Sequence, residues 1–145
     1  MLKLNHLDHV AIRAADLERS AKWYEQVLGL QRHTFEEWGP FPIFMVSGNF
    51  GVAIFPADVS LPPIGRAYGG VKIDHFAFNV NAENFAKAKK RYEELGLLYV
   101  IQDHVFFHSI YTQDPDGHTV ELTTLVVPES PFEKMKITPT ASPRP

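Results

Sequence analysis

The chain carries one short sequence twice. Leu7-Asp8-His9-Val10-Ala11-Ile12 is matched by Ile73-Asp74-His75-Phe76-Ala77-Phe78. An internal repeat restricts a fold more than any single motif, because each copy must form the same unit and the units must pack together. The copies also agree downstream, where Trp23-Tyr24-Glu25 leads to Gly29-Leu30 and Arg91-Tyr92-Glu93 leads to Gly96-Leu97. Tyr24 pairs with Tyr92, Gly29 with Gly96, and Leu30 with Leu97. A histidine sits at the same point in each copy, and two equivalent histidines that converge would form a metal site.

Each copy reads as a strand, a helix and three short strands. In the first, 7–13 is a strand and 16–28 a helix, with Leu17, Ala21, Tyr24 and Leu28 on one apolar face. Asp16 suits the helix cap, and Gly29 suits the left-handed position that ends it. Strands follow at 30–35, 41–46 and 52–55, divided by Gly39-Pro40 and Ser47-Gly48-Asn49. The second copy gives a strand at 72–80 and an Asn81 cap. Phe85, Ala88, Tyr92 and Leu95 form the inward helix face, Gly96 ends the helix, and strands follow at 98–101, 107–113 and 119–126. Asp114-Pro115-Asp116-Gly117 is a hairpin turn, since proline presets φ and glycine accepts a positive φ. One domain over 1–127 results, with modules at about 4–57 and 71–127 and a linker at 58–70. Residues 128–145 form a proline-rich tail. It reads as a flexible end, or as a segment docking Phe132, Met135 and Ile137 on a partner subunit or over the pocket.

Composition limits the function. A length of 145 residues suits one domain, and a hydrophobic fraction of 45% supports a full core. The formal net charge is −3, and no Lys or Arg run marks a nucleic-acid surface. No apolar stretch approaches the roughly 20 residues of a membrane span. The first residues lack a signal-peptide core, so a cytoplasmic protein is expected. Cysteine is absent, which excludes disulfides, thiolate catalysis and zinc–thiolate centres.

Strand period two assigns faces. His9 lies with Ala11 and Arg13, and His75 lies with Ala77 and Asn79. The bulky residues of both strands point the other way, toward the helices. Glu121 lies in mid-strand between apolar neighbours and needs a partner, because an unpaired buried carboxylate is costly. Tyr111 falls close to it across the hairpin. Two imidazoles and a carboxylate, with no thiolate, suit one divalent ion with open positions for substrate. We therefore expect His9, His75 and Glu121 as metal ligands. Arg13, Phe55, Ser109 and His108 are weaker candidates for substrate contacts. Arg13 also reads as an ordinary strand-end charge, and His104 and His108 as exposed loop or strand-edge residues. Phe35, Trp38, Phe41, Phe44, Phe50 and Phe55 offer an aromatic pocket wall.

On these residues the chain resembles the vicinal oxygen chelate superfamily. Its members include glyoxalase I, type I extradiol dioxygenases, fosfomycin-resistance enzymes and bleomycin-resistance proteins. The likeness runs over about 4–126, through both Asp-His strands, the Trp23-Tyr24 to Gly29-Leu30 helix end, and Ser109-Ile110-Tyr111 to Glu121-Leu122. It implies an α+β fold of two paired βαβββ modules, forming a curved, half-barrel-like mixed sheet around one metal site. It also implies a small-molecule substrate that chelates the metal through adjacent oxygens, and a homodimer. Glyoxalase I carries a further glutamate on the last strand of its first module. Here that strand is Val52-Ala53-Ile54-Phe55, so glyoxalase I is disfavoured. The preferred expectation is dioxygenase-like chemistry on a catechol-type compound, with Fe(II) or Mn(II) favoured and Zn or Ni as further options. Tyr111 would act as the catalytic hydrogen-bond partner of a substrate oxygen. The alternatives are a fosfomycin-resistance-type thiol transferase or epoxide hydrolase, another lyase or isomerase, or a drug-sequestering protein without catalysis. For a phosphonate the cationic residues are few, with Arg13 on the His9 face and Arg66 in the linker.

Overall fold

A computed structural model describes residues 2–58, 60–61 and 72–130. Most of the linker, including Arg66, and the tail from 131 with Phe132, Met135 and Ile137 lie outside these residues. The first module is β1 (His9–Ala14), α1 (Leu17–Leu28), β2 (Gln31–His33), β3 (Ile43–Ser47) and β4 (Phe50–Pro56). The second is β5 (His75–Asn79), α2 (Ala82–Glu94), β6 (Tyr99–Asp103), β7 (Phe107–Gln113) and β8 (Thr119–Leu125). Each module is a four-stranded mixed sheet with one helix, in the orders β1-β4-β3-β2 and β5-β8-β7-β6. The repeat in the sequence is thus a repeat of βαβββ units, and the fold is α+β.

Local chemistry explains most element ends. Asp16 accepts a hydrogen bond from the Arg19 backbone N–H at 3.0 Å and caps α1. Gly29 closes that helix at φ 70°, and its N–H reaches the Glu25 carbonyl at 2.9 Å. Asn81 caps α2 through the Asn84 N–H at 2.8 Å. The second strand is shorter than the 30–35 expected, because a 3-10 turn forms at Glu36–Trp38. The Phe41–Pro42 peptide just before β3 is cis.

Both sheets bury one face and leave the other open. In β1, Ile12 and Ala14 are buried while His9, Ala11 and Arg13 are exposed. In β5, Phe76 and Phe78 are half-buried while His75, Ala77 and Asn79 are exposed. The buried faces meet the helices in two clusters, one around Ile12, Tyr24, Met45 and Ile54 and one around Val27, Tyr92, Ile110 and Leu122. Trp23, Leu28 and Phe78 pack against both, so the modules share a continuous interior. Val120 of β8 even belongs to the first module's cluster.

The β7–β8 turn locks the modules together. Buried Asp114 accepts from the Tyr24 hydroxyl at 2.9 Å, the Asp116 N–H at 3.0 Å, the His118 N–H at 2.9 Å and His118 Nδ1 at 2.8 Å. Asp116 in turn accepts from the Ala15 N–H at 3.2 Å and the Ser20 hydroxyl at 3.1 Å. A carboxylate this buried persists because every donor around it is aimed at it. The turn therefore orients β8, which carries Glu121, against the first module.

Candidate metal and substrate site

The strand registers place the two copies on one scheme. His9 lies opposite Gly51 and Ala11 opposite Ala53; His75 lies opposite Thr119 and Ala77 opposite Glu121. Ala53 is thus the counterpart of Glu121, and the first module has no carboxylate where the second has one. Phe44 lies opposite Ala53 just as Tyr111 lies opposite Glu121. The repeat has produced two equivalent faces, one aromatic and one polar.

His75 Nε2 lies 3.0 Å from Glu121 Oε2. Its other nitrogen, Nδ1, lies 3.1 Å from Asp74 Oδ2. His9 repeats the arrangement, with Nδ1 at 2.5 Å from Asp8 Oδ1. An ionised carboxylate only accepts, so Nδ1 of each ring must be the donor. That leaves Nε2 of both histidines as the nitrogen that could bind a metal ion. The aspartate of each Asp-His pair therefore has a role that the sequence reading did not assign, and its signal was the repeated dipeptide. Glu121 is buried, while the two imidazoles are partly open to solvent. A buried carboxylate beside an oriented imidazole is a donor pair that fits a divalent ion.

Among the described residues of one chain, no group of three His, Cys, Asp or Glu side chains is placed to hold a metal ion. The structure brings His75 and Glu121 together. His9 stands instead on the first sheet, its ring edge-on to Phe44 with centroids 5.3 Å apart.

Tyr111 packs edge-on against His75, with ring centroids 5.6 Å apart. Its hydroxyl lies 3.0 Å from His104 Nε2. Burial raises the Tyr111 pKa, Ser109 opposes the rise, and the charge and hydrogen bond of Glu121 add to it. The phenol therefore keeps its proton and serves as a donor. His104 was read from the sequence as a loop residue. The structure places it over Tyr111 through a tight turn in which Val105 takes φ 70° and Val105 N–H bonds Asp103 Oδ1 at 2.8 Å. A β-branched residue at positive φ is a strained choice, and no sequence pattern announced it.

The weaker candidates separate. Ser109 is buried beside Tyr111 and bonds the Thr123 hydroxyl at 3.2 Å. Arg13 bonds the Pro56 carbonyl at 3.0 Å and lies 5.2 Å over the Phe55 ring, so these two residues mainly hold each other at the strand end. His108 falls on the opposite face of β7 from Tyr111, with Nε2 at 3.8 Å from Asp103.

Comparisons with known proteins bear on the family. Residues 6–122 match the Glyoxalase/Bleomycin resistance protein/Dioxygenase superfamily. The chain is 30% identical over 121 residues to the glutathione transferase FosA of Serratia marcescens, covering 82% of this chain and 80% of that protein. It is 26% identical over 126 residues to the metallothiol transferase FosB of Lysinibacillus sphaericus (strain C3-41), covering 85% and 84%. Among solved structures it is similar to oxidase ChaP-H1, at 26% identity and TM-score 0.62, covering 83% of this chain and 96% of that one. With the repeated βαβββ units and a match over most of its length, the chain belongs to the Glyoxalase/Bleomycin resistance protein/Dioxygenase superfamily.

Proposed function

We propose that the protein is a divalent-metal-dependent transferase that adds a thiol to an electrophilic substrate of the epoxide type. The His75–Glu121 pair, with Asp74 orienting the imidazole, carries the metal part of this reading. The thiol part rests on the two transferase relatives, which favour it over the dioxygenase chemistry expected first from the sequence. His9, His75 and Glu121 would hold the ion, with Mn(II) and Fe(II) the first to test. Once bound, it would polarise a substrate oxygen as a Lewis acid. The thiol would lose its proton, its sulfur would bond to the electrophilic carbon as the carbon–oxygen bond breaks, and the released oxygen would take up one proton. Tyr111 would donate to that oxygen, and His104 Nε2, 3.0 Å from the Tyr111 hydroxyl, would exchange the proton with it.

The site is completed between two chains. His9 lies on the open face of one sheet, and His75 and Glu121 lie on the open face of the other. Both faces point away from the interior that the modules share. A two-fold pair of chains would bring each face against its complement and form two equal sites.

Protein loaded with Mn(II) should form a thioether adduct from glutathione or a similar thiol and an epoxide drawn from a panel of apolar and anionic epoxides. Omitting the metal, or Glu121→Gln, should abolish it. Metal-loaded protein that forms no adduct with any thiol and epoxide would overturn the reading. A second reading, dioxygenase-like chemistry, is favoured by one observation, the histidine beside Tyr111 that such chemistry needs as an acid or base. Oxygen uptake with a catechol panel distinguishes it.

A further inference from the structure

The first sheet's open face carries a cavity of about 490 Å³ that contains His9. Its size falls within the range of small-molecule sites. Its walls are aromatic. Phe35 and Trp38 have ring centroids 4.5 Å apart, Trp38 and Phe44 lie 5.6 Å apart, and Phe44 meets His9. Phe50 closes another side. None of the described lining residues is Lys or Arg, and the one carboxylate side chain, Asp8, is hydrogen-bonded to His9.

Local structure builds this box. The 3-10 turn at Glu36–Trp38 folds Trp38 back over β3, and both Phe35 and Trp38 stay about half exposed rather than joining the core. Gly51, directly opposite His9, lets the β3 backbone approach closely beneath the box. A Cβ there would collide with the Met45 carbonyl oxygen and lie 2.9 Å from the Val46 Cα.

We infer that this aromatic box is a specificity site, and that it takes an aromatic or planar apolar group of the substrate, attached to the pair of oxygens that meets the metal. Among the described lining residues, no Lys or Arg would pair with an anionic group such as a phosphonate. The chemistry of the walls favours a ring, because aromatic faces and edges stack with one another and exclude water. The inference rests on the proposed metal site for the oxygens, but not on thiol transfer.

Benzohydroxamate and acetohydroxamate test it. Both chelate a metal through two adjacent oxygens, and they differ only by phenyl against methyl. Calorimetric titration of the Mn(II)-loaded protein should show benzohydroxamate binding about tenfold or more tighter. Phe35→Ala and Trp38→Ala, at half-exposed positions where folding should survive, should bring the ratio toward one and leave acetohydroxamate affinity unchanged. Equal affinities in the wild type, or a ratio that both variants preserve, would overturn the inference. If no metal binds, the metal reading fails by itself. The box is then tested by tryptophan fluorescence with benzamide against acetamide. Quenching by benzamide alone, lost in Trp38→Phe, supports it, and equal or absent quenching overturns it.

Discussion

Tyr24 and Tyr92 occupy equivalent helix positions and are both fully buried, yet their hydroxyls have different fates. Tyr24 donates to Asp114 at 2.9 Å. Tyr92 has no hydrogen-bond partner among the described residues. Burial raises both phenols well above their usual range, and Asp114 adds to the rise at Tyr24. A buried hydrogen bond to a charged acceptor contributes about 1.5–3 kcal/mol, whereas an unsatisfied buried hydroxyl is a net cost. Tyr24→Phe should therefore lower stability in urea unfolding by about 1.5–3 kcal/mol. Tyr92→Phe should be neutral or stabilising. The reverse order would show that the turn does not hold the modules as described.

Among the elements, the β7–β8 turn should impose a pH dependence. Its hydrogen bond to Asp114 is the main cause of a raised His118 pKa, working against burial. The folded chain then holds that proton more tightly than the unfolded chain. The resulting stabilisation is complete below the ordinary value of 6.5 and is lost as pH rises through the raised one. Burial works against the Asp114 charge, but His118 and the Tyr24 hydroxyl hold its pKa below 3.8. That contribution is complete above 3.8 and is lost as pH falls through the lowered value. The stability difference between wild type and His118→Gln should thus be greatest at about pH 4–6.5, measured by chemical denaturation across pH. A difference that grows above pH 8 would contradict it.

The elements also show what a sequence can and cannot reveal. Strand period two correctly separated His9, Ala11 and Arg13 from the buried face, because one sheet face is packed and the other open. The α1 face was legible but rotated. Ser20 and Val27 are buried, while Leu17 and Leu28 are only partly so, since the second module's turn and core press on that helix. For α2 the pattern overstated burial. Only Tyr92 is buried and Leu95 is 38% exposed, because the cleft beside α2 stays open. Asp114 and Asp116 looked like turn residues and are also the bridge between modules, a role set by contacts across some hundred positions that no local pattern encodes. His104 read as an exposed loop or strand-edge residue for the same reason, since its place over Tyr111 depends on the Val105 backbone.

For the whole molecule, the repeat has diverged into one aromatic face and one polar face, with Ala53 and Phe44 standing where the second module has Glu121 and Tyr111. In the proposed site the aromatic half would supply one histidine, and the polar half a histidine, a carboxylate and a proton donor. A site shared between chains makes a sharp prediction. His9→Ala and Glu121→Gln homodimers should both be inactive, but a heterodimer of the two keeps one intact site. An equal mixture, unfolded and refolded together, should regain about a quarter of wild-type activity. No recovery would place all three ligands within one chain.

The central claim is a single metal centre made by His9, His75 and Glu121. It is tested most directly by elemental analysis of the purified protein after Mn(II) or Fe(II) loading and removal of free ion. The account predicts one tightly held ion per chain, a rise in melting temperature on loading, and the loss of both in His9→Ala, His75→Ala and Glu121→Gln. A wild type that retains no divalent ion, or variants that retain it at full stoichiometry, would contradict it.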